Sequence, residues 1–211
     1  GRTKEKVVAT TEEIERRGGR AVPVVCDVAD PEQVRSAVDE VVEGLGTVDA
    51  LVNSAQDFCF GPLLHIDAET VEAGWRSGPL ATLALMRACH PHLAGGGSIL
   101  NLSSGATVAP DMAGTGVYAA VKAAISALTR AAAVEWAGDD IRVNALIPFG
   151  ASPAVIAALS DEGTRTAVLG QVPLARIGDC EADIGPAAVY LAGDGARYVT
   201  GTTLSVDGGA T

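Results

Sequence analysis

Residues 98–147 read SILNLSSGATVAPDMAGTGVYAAVKAAISALTRAAAVEWAGDDIRVNALI. Residues 98–102 form a short, largely apolar run that predicts a buried strand, and residues 141–147 predict another. Between them, residues 117–137 are rich in alanine and predict a long apolar helix. Two strands joined by a helix of this length indicate a βαβ unit with parallel strands.

The same alternation extends towards both ends of the chain. Strand patterns occur at residues 21–26, 48–52 and 203–206, and helical patterns at residues 4–17, 32–45, 67–93 (interrupted at 77–79) and 182–191. Because strands alternate with helices throughout, we predict an α/β fold, a Rossmann-like, doubly wound parallel sheet in three α/β/α layers. The even composition predicts a single domain over residues 1–211.

The composition disfavours two classes of partner. The 211 residues include 15 basic and 26 acidic side chains, which gives a formal net charge of −11, and only 4% are aromatic. Nucleic acid and anionic membrane surfaces both attract basic proteins, and aromatic side chains are needed for base stacking. No apolar run reaches the roughly 18 residues that a membrane helix needs. We therefore expect a small-molecule partner, and neither nucleic acid nor a membrane.

Cysteine and histidine positions indicate no metal site. Four cysteines are scattered without metal-ligand spacing, and the three histidines match no zinc motif. Thiols that are not arranged for disulfides are typical of a reducing compartment, so we expect a cytoplasmic location. Cys59 has no basic neighbour in the sequence to lower its pKa, and we therefore do not expect a reactive thiol.

Tyr118 and Lys122 form a candidate acid–base pair. They are four residues apart at the start of the predicted helix 117–137, so their side chains share one face. Tyrosine ordinarily titrates near pH 10, and an ammonium group within about one helical turn would favour the phenolate. We expect Lys122 to lower the pKa of Tyr118 and so to fit the phenol for proton transfer.

Ser104 is the third candidate. It follows the predicted strand 98–102, at the carboxyl edge of the sheet, where α/β proteins bind their ligands. A serine hydroxyl at this place can hydrogen-bond to a carbonyl or alcohol oxygen.

The sequence resembles the short-chain dehydrogenase/reductase family over nearly all of its length. The resemblance is carried by six motifs in the family's order: Cys26-Asp27-Val28, Asn53-Ser54-Ala55-Gln56, Asn101-Leu102-Ser103-Ser104, Tyr118-Ala119-Ala120-Val121-Lys122, residues 141–145, and the closing residues 198–201 with 206–209.

The resemblance implies an NAD(P)-dependent oxidoreductase that transfers a hydride between a nicotinamide ring and a carbonyl or secondary alcohol. In such an enzyme Tyr118 would exchange a proton with the substrate oxygen, and Ser104 would orient that oxygen. Lys122 would also bind the ribose hydroxyls of the nicotinamide.

The resemblance also implies a set of cofactor and substrate contacts. The expected cofactor-binding residues are Arg2, Asp27, Val28, Asn53, Ser54, Ala55, Tyr118, Lys122 and Pro148. Arg2 suits a ribose 2′-phosphate, so NADP is the favoured cofactor and NAD the alternative. The expected pocket residues are Phe58, Phe149 and Ser152, with Phe60 and residues 151–159 as further candidates for the wall and lid.

Gln56, Gly78 and Phe149 depart from the family pattern, and Phe149 replaces the glycine that follows the family's proline, here Pro148. Gln56 stands where the family's turn has glycine, which puts a side chain where backbone ordinarily approaches the cofactor. Gly78, followed by Pro79, aligns with a helix asparagine whose backbone carbonyl holds a relay water in the family. We expect a kink at this point and hypothesise that Gly78 supplies that carbonyl without the side chain.

Three questions stay open on the sequence. No glycine-rich phosphate-binding turn occurs near residue 1, so we expect the first strand, turn and helix of the fold to lie upstream of these residues. The departures at Gln56, Gly78 and Phe149 also allow a non-redox or weakly active scaffold or ligand-binding protein on the same fold. The apolar helix 117–137 predicts a covering subunit, as in a homodimer or homotetramer.

Overall fold

The computed structural model describes residues 1–108 and 114–211. Within these residues, four parallel strands form one sheet in the order β1-β2-β3-β4. Their bounds are Ala50–Asn53 (β1), Ser98–Leu102 (β2), Arg142–Pro148 (β3) and Thr203–Val206 (β4). Since all four run in the same direction, their carboxyl ends meet at one edge of the sheet.

Helices connect the strands. Their bounds are Lys4–Arg16 (α1), Pro31–Leu45 (α2), Ala68–Trp75 (α3), Ala81–Leu93 (α4), Gly116–Glu135 (α5), Pro153–Ala158 (α6), Glu162–Leu169 (α7) and Gly185–Ala192 (α8). Two π-helical turns, Arg76–Leu80 and Cys180–Ile184, directly precede α4 and α8. The predicted helix 117–137 and strands 141–147 and 203–206 are confirmed to within about two residues.

The start of α2 shows how local sequence sets an element boundary. The Asp30 carboxylate accepts hydrogen bonds from the backbone N–H groups of Glu32 and Gln33, and Pro31 occupies the first helical position. The helix ends at Gly46, whose φ of 92° is a left-handed conformation that glycine adopts without strain.

Helices cover both faces of the sheet, which confirms the three-layer prediction. On one face, Ile99 of β2 and Val143 of β3 pack with Met86 and Leu93 of α4. On the other, Leu100 and Leu146 pack with Leu191 of α8. Alternate residues of β2 therefore contact opposite helical layers, as the pleat of a strand requires.

A buried chain of hydrogen bonds links two strands to α5. Asn53 Nδ2 donates to Asn101 Oδ1 at 2.8 Å, and Asn101 Nδ2 donates to Thr129 Oγ1 at 2.9 Å. Thr129 in turn donates to the Ile125 carbonyl. Asn101 and Thr129 are both fully buried, so these bonds replace water that the amide and hydroxyl groups have lost.

The predicted strand at residues 21–26 is wrong for the part of the chain that the structure describes. The segment forms no ladder with β1 to β4. Its backbone bonds instead involve Gly1: Cys26 N–H donates to the Gly1 carbonyl, and the Gly1 nitrogen donates to the Val24 carbonyl. The β-branched residues matched a strand, but a strand also needs a neighbouring strand with which to pair.

The predicted interruption at residues 77–79 is a π-turn rather than a break. In the turn Arg76–Leu80, the Ala81 N–H donates to the carbonyls of Arg76 and Gly78. Pro79 has no N–H to donate, and the wider turn carries it within a helical path from α3 into α4.

Helix α5 is long and apolar enough, by length and composition alone, to cross a membrane, which the sequence reasoning did not anticipate. Its packing indicates another role. Val121, Ile125, Ala132 and Ala133 are buried, and the helix packs along β3. These are the contacts of a helix that covers a sheet.

The hydrogen-bond chain from Asn53 through Asn101 to Thr129 predicts that removal of the Thr129 hydroxyl destabilises the fold. We expect Thr129→Val, which keeps the shape but deletes the hydroxyl, to lower the free energy of unfolding by about 1–3 kcal/mol, because Asn101 Nδ2 loses its oxygen acceptor. Thr166→Val on the exposed surface of α7 is the matched control and should change the free energy by less than about 0.5 kcal/mol. Urea unfolding measures both, and equal effects in the two variants would contradict the assignment.

Candidate active site

The three predicted catalytic residues lie together at the carboxyl edge of the sheet. Ser104 follows β2 and begins a short 3₁₀ turn, Gly105–Thr107, where its hydroxyl accepts the Ala106 N–H at 3.3 Å. Tyr118 and Lys122 occupy the first two turns of α5. The Ser104 side chain is within hydrogen-bonding reach of the Tyr118 phenol.

Lys122 is buried and bonded to the end of β2. Its Nζ donates to the Leu102 carbonyl at 2.8 Å, and the side chain is only 6% exposed. Burial disfavours the charged ammonium and lowers the pKa of Lys122 to about 8, an effect that the neighbouring Cys59 partly opposes. The lysine therefore changes charge close to neutral pH.

Tyr118 differs from the expectation. Burial raises the pKa of its phenol above the ordinary value, and the Ser104 hydroxyl partly opposes the rise. The Lys122 ammonium lies 5.7 Å from the centre of the tyrosine ring and is bonded to the Leu102 carbonyl. The loss of water around the phenol is the largest effect on its pKa, so the predicted lowering by Lys122 is wrong.

An aromatic wall stands beside the phenol. The ring of Phe60 packs edge-to-face on Tyr118 with 4.9 Å between centroids, and Phe58 stacks on Phe60 at 5.2 Å. Phe58 itself is 6.4 Å from Tyr118. Both phenylalanines are more than half exposed, so they present apolar surface next to the hydroxyl. Phe58 therefore lies beside the phenol, as its predicted place in the substrate pocket requires, and Phe60 lies nearer to Tyr118 than Phe58 does.

Cys59 lies closer to the site than the sequence indicated. Its thiol is fully buried and fills the space above Gly74, where an added Cβ would come within 2.6 Å of Sγ. The Lys122 charge does act on this thiol, contrary to the expectation that no positive group is near. Burial is the larger effect and raises the pKa of Cys59, which agrees with an unreactive thiol.

Four of the predicted cofactor residues line one small cleft. Arg2, Asp27, Val28 and Ala55 surround a volume of about 70 Å³, together with Gly1, Cys26, Gln56, Asp57 and Ser77. Asn53 and Ser54 precede this group at the end of β1. Sequence reasoning missed Asp57, which forms an ion pair with Arg2 across 55 positions of sequence.

Gln56 is accommodated by Gly78. An added Cβ on Gly78 would lie 3.3 Å from Gln56 Cδ and 2.7 Å from Val121 Cγ1, so only glycine fits without movement. Both polar atoms of the Gln56 carboxamide are buried with no hydrogen-bond partner in the described part of the chain, and so is Asn53 Oδ1. Orphaned buried polar atoms beside a cleft indicate that a ligand or water completes them.

The hypothesis that the Gly78 carbonyl holds a relay water stays a prediction, and the structure shows which protein donor that carbonyl accepts. The Gly78 carbonyl accepts the Ala81 N–H, as does that of Arg76, whereas a regular helix would bond Ala81 to Ser77. In this π-turn the Ser77 carbonyl therefore does not accept the Ala81 N–H, as it would in a regular α-helix. The Ser77 hydroxyl also accepts the Asp57 N–H at 2.9 Å, a contact between residues 20 apart that no local sequence signal reveals.

The remaining predicted residues lie at the end of β3. Pro148 is the last residue of the strand, and Phe149 lines a separate cavity of about 510 Å³ with Leu174, Val206 and Asp207. The Ser152 hydroxyl accepts the Val155 N–H and caps α6. Pro148 and Phe149 lie beside Val206 of β4, and the place of Ser152 in a substrate pocket stays a prediction.

The pKa of Lys122 predicts a dependence of stability on pH. A lysine whose folded pKa is below its unfolded pKa makes the fold less stable while it is charged, and this cost disappears as pH rises from about 8 to 10.5. Relative to Lys122→Met, we expect the wild type to gain about 3 kcal/mol across this range. Urea unfolding at several pH values measures the difference. The exposed Lys4→Met is the control, and a pH-independent difference for Lys122→Met would refute the assignment.

Comparison with known proteins agrees with this geometry. The family model described as enoyl-(acyl carrier protein) reductase matches residues 2–211. A 12α-hydroxysteroid dehydrogenase of Clostridium sp. is 36% identical, over 99% of this chain and 83% of the relative. A 3-oxoacyl-(acyl-carrier-protein) reductase of Staphylococcus aureus is 35% identical, over 98% of this chain and 84% of the relative.

A solved structure gives the same result for the fold. The gluconate 5-dehydrogenase of Burkholderia cenocepacia, in complex with NADP and tartrate, superposes with a TM-score of 0.92 at 30% identity, and the match covers 100% of this chain and 83% of that one. At this identity and coverage, in sequence and in structure, the chain belongs to the short-chain dehydrogenase/reductase family of oxidoreductases.

Proposed function

We propose that the protein interconverts a carbonyl group and a secondary alcohol with NADP(H), or with NAD(H) as the alternative, and that Tyr118 is its proton donor and acceptor. The observation that carries the proposal is the convergence of Ser104, Tyr118 and Lys122 at one edge of the parallel sheet. A short-chain dehydrogenase/reductase needs a group that orients the substrate oxygen, a group that exchanges its proton and a positive charge beside that group, all at one point.

The residues around the cleft fit a dinucleotide. Gln56 lines the cleft with Arg2, Asp27, Val28 and Ala55, and its carboxamide has no hydrogen-bond partner in the described part of the chain. Lys122 Nζ has three N–H bonds, of which one is used by the Leu102 carbonyl. Ser54 and Pro148 complete the set of residues that we assign to the cofactor. When bound, the nicotinamide supplies or accepts the hydride.

Tyr118 and Ser104 act on the substrate oxygen. The Ser104 hydroxyl donates to that oxygen and fixes its position, and the Tyr118 hydroxyl delivers the proton as a carbonyl is reduced. In the opposite direction Tyr118 accepts the proton of the alcohol. A raised pKa keeps the phenol protonated at neutral pH, which suits the donor role.

Lys122 stabilises the phenolate that remains after proton transfer. Its ammonium is held by the Leu102 carbonyl near the ring, so the positive charge is in place before the reaction begins. Because its pKa is about 8, the fraction of charged lysine falls above that pH.

The aromatic wall supports a substrate with an apolar body. Phe58 and Phe60 expose their rings beside Tyr118, where they would cover an alicyclic or acyl portion of the substrate. The steroid substrate in the name of the clostridial relative is of this kind. Arg2 in the cleft supports NADP, the cofactor present in the gluconate dehydrogenase complex.

Assembly and location are part of the proposal. Val134 on α5 and Leu80 before α4 are exposed apolar side chains on helices that flank the sheet. They support a homodimer or homotetramer in which a second copy covers these helices.

The cysteines support the cytoplasm as the location, because Cys26, Cys59, Cys89 and Cys180 are free thiols in the structure.

The proposal predicts a specific loss on removal of one oxygen atom. Tyr118→Phe should lower kcat/KM for ketone reduction by about 10²–10⁴-fold, because the proton donor is lost while the ring packing is kept. Oxidation of NADPH and NADH, followed by absorbance with a panel of cyclic and acyl ketones, measures the effect. Tyr198→Phe, at a fully exposed tyrosine, is the matched control and should leave kcat/KM unchanged.

Binding distinguishes an enzyme from a scaffold on the same fold. Fluorescence titration of the wild type with NADPH and NADH should show saturable binding, and Tyr118→Phe should bind the nucleotide nearly as well. Absence of binding for both nucleotides would overturn the redox function. Full activity of Tyr118→Phe would overturn the role of the phenol.

A further inference from the structure

Arg2 carries the positive charge of the dinucleotide cleft, and Asp57 neutralises it. Of the described residues that line the cleft, Arg2 is the basic side chain, and Asp27 and Asp57 are acidic. Both terminal nitrogens of the Arg2 guanidinium donate to the Asp57 carboxylate, Nη1 to Oδ2 at 3.3 Å and Nη2 to Oδ1. The Arg2 side chain is 58% exposed and that of Asp57 is 31% exposed, so the pair lies at the mouth of the cleft.

The backbone of Asp57 is fixed in place. Its N–H donates to Ser77 Oγ at 2.9 Å, and the Ser77 hydroxyl donates to the Ala73 carbonyl at 2.7 Å. Ser77 is itself buried. The carboxylate therefore extends from an anchored position, whereas the arginine side chain is the more exposed partner of the pair.

A carboxylate and a phosphate compete for the same edge of a guanidinium group. Arginine binds either of them with two parallel N–H···O bonds, and Asp57 already occupies the edge formed by Nη1 and Nη2. A ribose 2′-phosphate that approaches Arg2 must displace the carboxylate or bind beside its negative charge. An unphosphorylated ribose meets no such competition.

We propose that Asp57 is a specificity-determining residue, which holds Arg2 and thereby reduces the preference of the cleft for a dinucleotide with a 2′-phosphate. The inference rests on the proposed function, since it concerns the same cofactor cleft. Arg2 raises the affinity for NADPH, Asp57 offsets that gain, and the affinity for NADH depends on neither residue. Discrimination between two ligands is the difference between their binding affinities. The Arg2–Asp57 ion pair therefore reduces the difference between the affinities for NADPH and NADH.

A charge-removing variant at position 57 tests the proposal. Asp57→Asn should strengthen NADPH binding by about five- to tenfold and leave NADH binding within about twofold, because the freed guanidinium can pair with the 2′-phosphate. Fluorescence titration of the protein with each nucleotide gives the dissociation constants without any substrate. Asp49→Asn is the matched control, since Asp49 is exposed and precedes β1, at the opposite end of that strand.

A double-mutant cycle with Arg2→Ala shows whether the effect passes through the arginine. In the Arg2→Ala background, Asp57→Asn should change NADPH binding less than about twofold. Titration with adenosine 2′,5′-bisphosphate and with adenosine 5′-monophosphate should reproduce the difference in the fragment that carries the 2′-phosphate.

Each outcome decides the proposal. An unchanged ratio of NADPH to NADH affinity in Asp57→Asn overturns it, and so does a gain that persists without Arg2 or that also appears in Asp49→Asn. If the wild type binds neither dinucleotide, the proposed function fails and this inference fails with it. Binding of both dinucleotides with no effect at position 57 overturns the inference alone.

Discussion

Polar contacts between β2 and α5 hold the candidate site in place. Asn101, the last but one residue of β2, bonds to Thr129, and the carbonyl of Leu102 at the end of the strand accepts the Lys122 ammonium. The two contacts are about two helical turns apart on α5, so they fix both its position along the strand and its rotation. Tyr118, one turn before Lys122, is thereby brought to the Ser104 hydroxyl.

Burial acts in opposite directions on the two titratable groups of the pair. It raises the pKa of Tyr118 and lowers that of Lys122 to about 8, because in each case the neutral form is favoured away from water. Each group is therefore uncharged over a wider range of pH than it would be in solvent. The result is a phenol that keeps its proton until the substrate oxygen requires it, beside a lysine whose charge is sensitive to small changes in its surroundings.

The sequence predicted the parallel sheet and the catalytic group because both depend on local patterns. Apolar runs of strand length, helices between them and the four-residue spacing of Tyr118 and Lys122 are all short-range signals. The errors concern contacts between distant residues. The segment at residues 21–26 matched a strand but lacks a ladder partner, and the pKa of Tyr118 depends on burial by loops such as that of Phe60. The Asp57 contacts with Arg2 and Ser77 likewise have no signature in sequence.

The π-turn at Arg76–Leu80 has a consequence for protein engineering. A regular α-helix turns about 100° per residue, so one residue absorbed in a wider turn resets the angular phase of all that follows. Met86, Cys89 and Leu93 face the sheet in the phase that this turn sets. Replacing Gly78 and Pro79 with strong helix formers, a routine step in thermostabilisation, would straighten the segment and rotate those side chains away from β2. Idealising this helix would therefore weaken the core that it was meant to reinforce.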